Sequence, residues 1–153
     1  MTVKRRRRPP SSPRRTKATR PQGAGLRVPA RILVVDGKEL IRTFVGTVLD
    51  DEGHEVVTAP HGDAALAVLQ RWSPDLILLG LPLVDMSGWD LAHEYYQTTT
   101  EPAPIVVLAP LTYATNRATQ IDAAEVLVKP FQRDDLVRAV DRQLAAAPPA
   151  TSR

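Results

Sequence analysis

The segment Pro74-Asp-Leu-Ile-Leu-Leu-Gly80 carries the strongest fold signal in this chain. Its centre, Leu76–Leu79, is apolar at every position, which is typical of a central parallel strand that is covered on both faces. The segment Leu81-Pro-Leu-Val-Asp-Met-Ser-Gly88 follows directly and leads into a segment of helical periodicity that begins at Ser87. We therefore predict a strand, a loop and a helix in this order, as in a βαβ unit.

The same alternation of short apolar runs and amphipathic segments continues on both sides of this stretch. The predicted strands are Arg31–Val35, Glu55–Ala59, Leu76–Leu79, Ile105–Leu108 and Glu125–Val128. The predicted helices are Glu39–Asp51, Gly62–Arg71, Ser87–Gln97 with Ser87 as N-cap, a weak helix at Tyr113–Gln120, and Gln132–Ala146. This alternation predicts an α/β fold with one parallel sheet, and right-handed crossovers make that sheet doubly wound.

Length and composition fit one soluble globular domain. The chain has 153 residues, of which 43% are hydrophobic and 24% are charged. It contains no cysteine, which excludes disulfides, thiolate metal sites and a cysteine nucleophile, and which suits the cytoplasm. No apolar run is long enough to span a membrane, and no apolar stretch follows the basic N-terminus as it would in a signal peptide. We therefore expect a cytoplasmic protein.

The first 30 residues differ in composition from the rest of the chain. They contain ten lysines and arginines, five prolines and no acidic residue. Because they have almost no apolar surface to bury, we predict a disordered basic arm over residues 1–30. The other 123 residues carry ten basic and 17 acidic groups, a net charge of −7. They form the predicted domain, residues 31–146, and a frayed C-terminus, residues 147–153.

A dense cationic arm of this kind binds phosphate backbones through counterion release, without reading their sequence. The candidate polyanion-binding residues are Lys4, Arg5, Arg6, Arg7, Arg8, Arg14, Arg15, Lys17 and Arg20. No aromatic residue lies among them, so we expect no base stacking and therefore only non-specific binding of nucleic acid. Anionic lipid or an acidic protein surface is an alternative target. A solvated extension without function, or a misassigned start codon, is the simpler interpretation.

Four motifs in order identify the family that the chain resembles. They are Ile32-Leu-Val-Val-Asp36, Pro74-Asp-Leu-Ile-Leu-Leu, Met86-Ser-Gly88 and Leu127-Val-Lys-Pro-Phe131. Over residues 31–144 they resemble the receiver domain of response regulators, including the chemotaxis regulators. The resemblance implies a flavodoxin-like fold with strand order 2-1-3-4-5. It also implies a role in two-component or phosphorelay signal transduction, with protein partners in a signalling pathway.

The positions at which this family keeps its working residues are altered here. Gly80 stands where the resemblance implies the phosphoacceptor aspartate, and Gly37 stands where it implies the second Mg²⁺-binding acid beside Asp36. Ala109 replaces the switch hydroxyl and Val126 the switch aromatic. We therefore expect a vestigial pocket without Mg²⁺, no enzymatic activity, and a degenerate receiver that acts by protein–protein contact without phosphorylation.

Two lysines leave the chemistry of this pocket open. Lys129 is retained, and it either binds a small anion, which would make the domain a ligand sensor, or pairs with Asp36. The second interpretation is favoured, because buried charges are usually retained as pairs. Lys38 is a second candidate for anion binding, although its side chain could equally point to solvent.

Other polar residues near the pocket have simpler interpretations. Asp85 lies five residues past Gly80, which favours a turn residue over a substitute nucleophile. His54, His61 and His93 lack metal-ligand spacing, and we expect them on the surface or in loops.

Overall fold

The computed structural model describes residues 29–113 and 121–146 of the chain. The strands are β1 (Arg31–Val35), β2 (Glu55–Ala59), β3 (Leu76–Gly80), β4 (Ile105–Pro110) and β5 (Glu125–Lys129). The helices are α1 (Glu39–Asp51), α2 (Gly62–Leu69), α3 (Gly88–Thr98) and α4 (Arg133–Ala146). Residues 111–113 and 121 are also helical, while most of the helix predicted at Tyr113–Gln120 lies outside the described residues. The predictions for residues 1–28 and 147–153 lie outside them as well.

All five strands are parallel, and their order in the sheet is β2-β1-β3-β4-β5. The predicted doubly wound, flavodoxin-like fold is therefore confirmed. The three central strands are almost wholly buried, as their uninterrupted apolar runs require. Within the described ranges, no helix has the length and apolar character needed to cross a bilayer.

Successive residues of β3 point to opposite faces of the sheet and belong to two separate cores. Ile77 and Leu79 pack with residues of α2 and α3 on one face. Leu76 and Leu78 pack with residues of α1 and α4 on the other. Each fully buried leucine contributes roughly 1.5–3 kcal/mol through removal of apolar surface from water. The sheet is therefore held rigidly between two layers of helices, and the ends of its strands are fixed in space.

Most boundaries agree with the predictions, and the differences have local causes. β3 extends to Gly80 because its backbone still pairs there with Leu108. α2 ends at Leu69, two residues before the predicted end at Arg71, because the Arg71 N–H donates to the carbonyl of Val68, three residues back, which closes a tighter turn than the α-helix. The predicted N-cap of α3 is present, since the Ser87 hydroxyl accepts the Asp90 N–H at 2.9 Å.

One histidine is buried within its loop. His54 follows α1 but is buried, with 4% of its surface exposed, and its Nδ1 accepts the Ala30 N–H at 3.1 Å. His54 thus lies in the loop between α1 and β2, as expected, and it is buried there because its imidazole holds the residue that precedes β1.

Candidate functional site

The ends of three strands bring the main predicted residues together. Asp36 follows β1 directly, Gly80 is the last residue of β3, and Lys129 is the last residue of β5. Parallel strands end at one edge of the sheet, which we call the carboxyl edge, and ligands of open α/β sheets gather there. The candidate site is therefore the group Asp36, Gly80 and Lys129, which we call the acid–lysine site.

A buried ion pair forms the centre of the acid–lysine site. The Lys129 Nζ lies 2.8 Å from the Asp36 Oδ2, and the side chains are 14% and 3% exposed. The second carboxylate oxygen, Oδ1, accepts the Lys38 N–H at 2.9 Å. The backbone carbonyl of Asp36 accepts from the Arg42 guanidinium at 2.8 Å, and its N–H donates to the Ala59 carbonyl. Every polar group of Asp36 therefore has a partner within the protein, as a buried charge requires.

Gly80 lies against this carboxylate. A Cβ atom built on Gly80 would lie 1.9 Å from the Asp36 Oδ2, 2.5 Å from its Cγ and 2.9 Å from its Cβ. These distances are far inside van der Waals contact. Gly37, in contrast, has room, since its Cβ would meet only the Pro60 carbonyl oxygen at 3.8 Å. The Asp36 carboxylate thus occupies the space that any side chain at Gly80 would need.

The remaining predicted residues border the acid–lysine site. Ala109 is fully buried in β4 beside Val128 of β5, and Val126 is partly buried against the core on the α3 side. Gly37 and Lys38 are exposed, and the hydrogen bond from Lys38 to Asp36 comes from the backbone. The anion-binding role of the Lys38 side chain stays a prediction.

Sequence reasoning did not find the contribution of Arg42. Its guanidinium reaches back from the first turns of α1 to the carbonyl of Asp36. The sequence signal is weak, because an arginine seven residues after the end of β1 is equally compatible with a solvated helix face. Arg42 holds the backbone of the residue that supplies the buried carboxylate.

Asp85 has a structural role that its position in a loop does not reveal. Its two carboxylate oxygens accept the N–H groups of Gly62 and Asp63, each at 2.9 Å, in the first turn of α2. These groups have no partner within the helix, so the β3–α3 loop supplies one. The hydrogen bond from the Asp63 N–H is the largest cause that holds the pKa of Asp85 below its usual value. Asp85 therefore caps the N-terminus of α2, and both of its carboxylate oxygens accept hydrogen bonds there.

The lowered pKa of Asp85 predicts a pH dependence of stability. The cap contributes fully above the unfolded-state pKa of about 3.8, and its contribution is lost as the pH falls through the lower folded-state pKa. We expect Asp85→Asn to cost about 0.5–1 kcal/mol at pH 7, at the low end for a cap because water screens this site. Urea titrations from pH 7 to pH 3 should show the difference between wild type and Asp85→Asn shrinking below pH 4. A constant difference would contradict the assignment.

A cavity of about 290 Å³, lined by both polar and apolar residues, lies beside the β3–α3 loop. Leu81, Leu83, Met86, Trp89, Tyr113 and Ile121 supply most of its apolar wall. Val84 and Trp89 at its rim are 86% and 46% exposed.

As for metal ligands, the described residues contain no cluster of three or more His, Asp or Glu side chains that could hold an ion.

The comparisons with known proteins agree with this geometry. The response regulator receiver domain family matches residues 32–141. The transcriptional regulatory protein PdtaR of Mycobacterium tuberculosis is 33% identical over 117 residues, which cover 74% of this chain and 56% of PdtaR. GlrR of Escherichia coli is 34% identical, with 80% of this chain and 28% of GlrR covered. The chain thus spans 50% and 56% of the lengths of the first curated relatives that it matches.

Solved receiver structures superpose on nearly the whole domain. Chemotaxis response regulator CheY4 of Vibrio cholerae has a TM-score of 0.69 at 30% identity, with 75% of this chain and 98% of CheY4 covered. TrrA of Thermotoga maritima, solved with Mg²⁺ and BeF, has a TM-score of 0.66 at 32% identity, with 74% and 97% covered. Sequence match, strand order and superposition all lead to one conclusion: the chain belongs to the response regulator receiver domain family.

Proposed function

We propose that this chain is a receiver domain that has lost aspartyl phosphorylation and acts in signal transduction through protein contacts. One observation carries the proposal: a glycine stands at the end of β3, and the Asp36–Lys129 pair fills the space beside it. A phosphoryl group needs a nucleophilic carboxylate and room for its oxygens, and the acid–lysine site offers neither at Gly80.

The residues present do not fit the Mg²⁺ that this family implies. Mg²⁺ requires several oxygen ligands in nearly octahedral geometry. Gly37 and Gly80 offer no carboxylate, and both oxygens of Asp36 already accept hydrogen bonds from Lys129 and Lys38. Binding of the metal would have to break the ion pair without supplying a second acid. We therefore propose a site without metal and without enzymatic activity.

The direct test uses acetyl phosphate with MgCl₂ and intact-mass spectrometry on the full chain. We expect no phosphorylated species, while a receiver that keeps its aspartate, treated in parallel, becomes labelled. Beryllofluoride with Mg²⁺ gives a second measurement, because TrrA was solved with this combination. We expect no change in the melting temperature of this chain. Stoichiometric phosphorylation, or a clear stabilisation by Mg²⁺ and beryllofluoride, would rule out the proposal.

Polyanion binding by the basic arm is the second candidate function. The observation in its favour is the concentration of ten basic and no acidic residues within residues 1–30. A gel-shift titration with duplex DNA of arbitrary sequence tests it on the full chain, with a variant in which Arg5–Arg8 are glutamine as control. Salt-dependent binding that the control loses would support it. The anion-sensor alternative has less support, because the Lys129 ammonium already forms an ion pair with the Asp36 carboxylate.

A further inference from the structure

Two cavities lie at the opposite edge of the sheet, where the strands begin. The first, of about 210 Å³, is lined in part by Trp72, Ser73 and Glu101. The second, of about 280 Å³, is lined in part by Gln70 and Glu94. The two cavities share three lining residues, Leu69, Tyr95 and Thr99. Together they form a groove between the ends of α2 and α3, which we call the α2–α3 groove.

The charge of the α2–α3 groove favours a cation. Glu94 and Glu101 line it and are exposed, and among the described residues neither has a lysine or arginine within salt-bridge distance. The last turn of α3 contains no basic residue, so the partial negative charge of its C-terminus adds to that of the two carboxylates. Arg31 also lies beside the groove, over the Trp72 ring, but its acidic partner is Glu55 and not Glu94 or Glu101.

The basic arm joins the domain beside this groove. The Arg31 guanidinium lies 4.7 Å from the centre of the Trp72 ring, and Trp72 lines the same cavity as Glu101. An extended chain spans at most about 3.5 Å per residue, so Arg27 can lie up to roughly 14 Å from Arg31 and Arg20 up to roughly 38 Å. The length of the arm therefore allows its cations to reach the groove beside Trp72.

We propose that the basic arm binds in cis to the α2–α3 groove through its residues 1–28. The partner of this surface is thus a named segment of the same chain, with cations that match its two glutamates. The tether gives the arm an effective concentration of the order of millimolar, which favours this contact over the same contact with a second copy. A polyanion must then compete with the groove for the cations of the arm. The domain thereby weakens the binding of polyanions to its own arm. The contact in cis does not depend on the proposed loss of phosphorylation, whereas the self-inhibition rests on the polyanion binding proposed above for the arm.

Paramagnetic relaxation tests the contact on the full chain. The chain has no cysteine, so Thr19→Cys places a single spin label next to Arg20. At low salt we expect strong broadening of the amides of residues 94–101 and little at Gly37. In Glu94→Gln/Glu101→Gln, and in wild type at high salt, the broadening should fall to the background level. The matched control is Glu39→Gln/Asp63→Asn, which removes two exposed acids from the first turns of α1 and α2.

The same variants give a functional readout with heparin as the polyanion. We expect Glu94→Gln/Glu101→Gln to bind heparin about two- to five-fold more tightly than the control variant, which corresponds to the loss of a surface ion pair. Equal affinities of variants that bind heparin would overturn the self-inhibition, and broadening spread evenly over the domain would overturn the contact itself. Absence of heparin binding in every variant would instead contradict polyanion binding by the arm. Broadening of an isotope-labelled chain by a spin-labelled, unlabelled second chain would assign the contact to another copy and overturn the binding in cis.

Discussion

Replacing Gly80 with aspartate will not restore phosphorylation, and it will destabilise the domain. The new Cβ would lie 1.9 Å from the Asp36 Oδ2, so the carboxylate of Asp36 must leave Lys129. Overpacking alone costs about 1–3 kcal/mol, and two adjacent carboxylates add repulsion. We expect a loss of about 3 kcal/mol or more in urea denaturation, and no Mg²⁺-dependent labelling by acetyl phosphate.

Three matched variants separate the steric from the electrostatic cause of the expected loss of stability. Gly80→Ala has the same steric conflict without the charge and should lose about 2 kcal/mol. Gly37→Ala should be nearly neutral, because the nearest atom to its Cβ lies 3.8 Å away. In Asp36→Ala/Gly80→Ala the closest clash is gone, so the double-mutant cycle should show a favourable coupling. A stable Gly80→Asp that is phosphorylated with Mg²⁺ would show that the site is merely switched off.

Replacing Lys129 with methionine will cost about 3 kcal/mol of unfolding free energy. Methionine keeps most of the length of lysine but leaves the 3%-exposed carboxylate of Asp36 without its cation. Removal of one partner of a buried pair is strongly destabilising, and the 14% exposure of Lys129 places this case at the low end of that range. Urea denaturation at pH 7 measures the loss as a lower midpoint at unchanged slope.

A neutral pair is the control for this prediction. Asp36→Asn/Lys129→Met removes both charges, while the asparagine side-chain oxygen can still accept the Lys38 N–H. We expect this variant to be more stable than Lys129→Met alone, because no uncompensated charge remains buried. If Lys129→Met is as stable as wild type, the pair contributes nothing. The Lys129 ammonium would then be available to an anion after all.

The strands were predictable because their signal is local. Arg31–Val35, Glu55–Ala59 and the apolar run of β3 are short apolar segments, and burial on one or both faces of a sheet is enough to specify them. Three of the predicted strands ended one or two residues early, at Leu79, Leu108 and Val128. Pairing between strands, which extends each of them, is set by neighbours that the sequence does not place side by side.

The candidate site could be predicted only in part. The sequence predicts that Asp36 and Lys129 lie at one edge of the sheet, but no sequence pattern encodes the 2.8 Å distance between Nζ and Oδ2 that shows them to be paired. That the Asp36 carboxylate fills the space beside Gly80 depends on its rotamer. The cap that Asp85 forms on α2 joins residues that are 22 and 23 positions apart through the path of a loop, for which no periodicity exists.

The ion pair at the centre of the site also bears on how the domain assembles. Asp36 and Lys129 are 93 residues apart, so one end of the pair lies at the first strand and the other at the last. Closing so long a loop is entropically costly, and contacts of this kind slow folding. As the chain emerges from the ribosome, the carboxylate of Asp36 has no cation until β5 has been synthesised and docked on β4. The ion pair therefore forms only once the sheet is complete, and it stabilises the complete sheet over partly assembled ones.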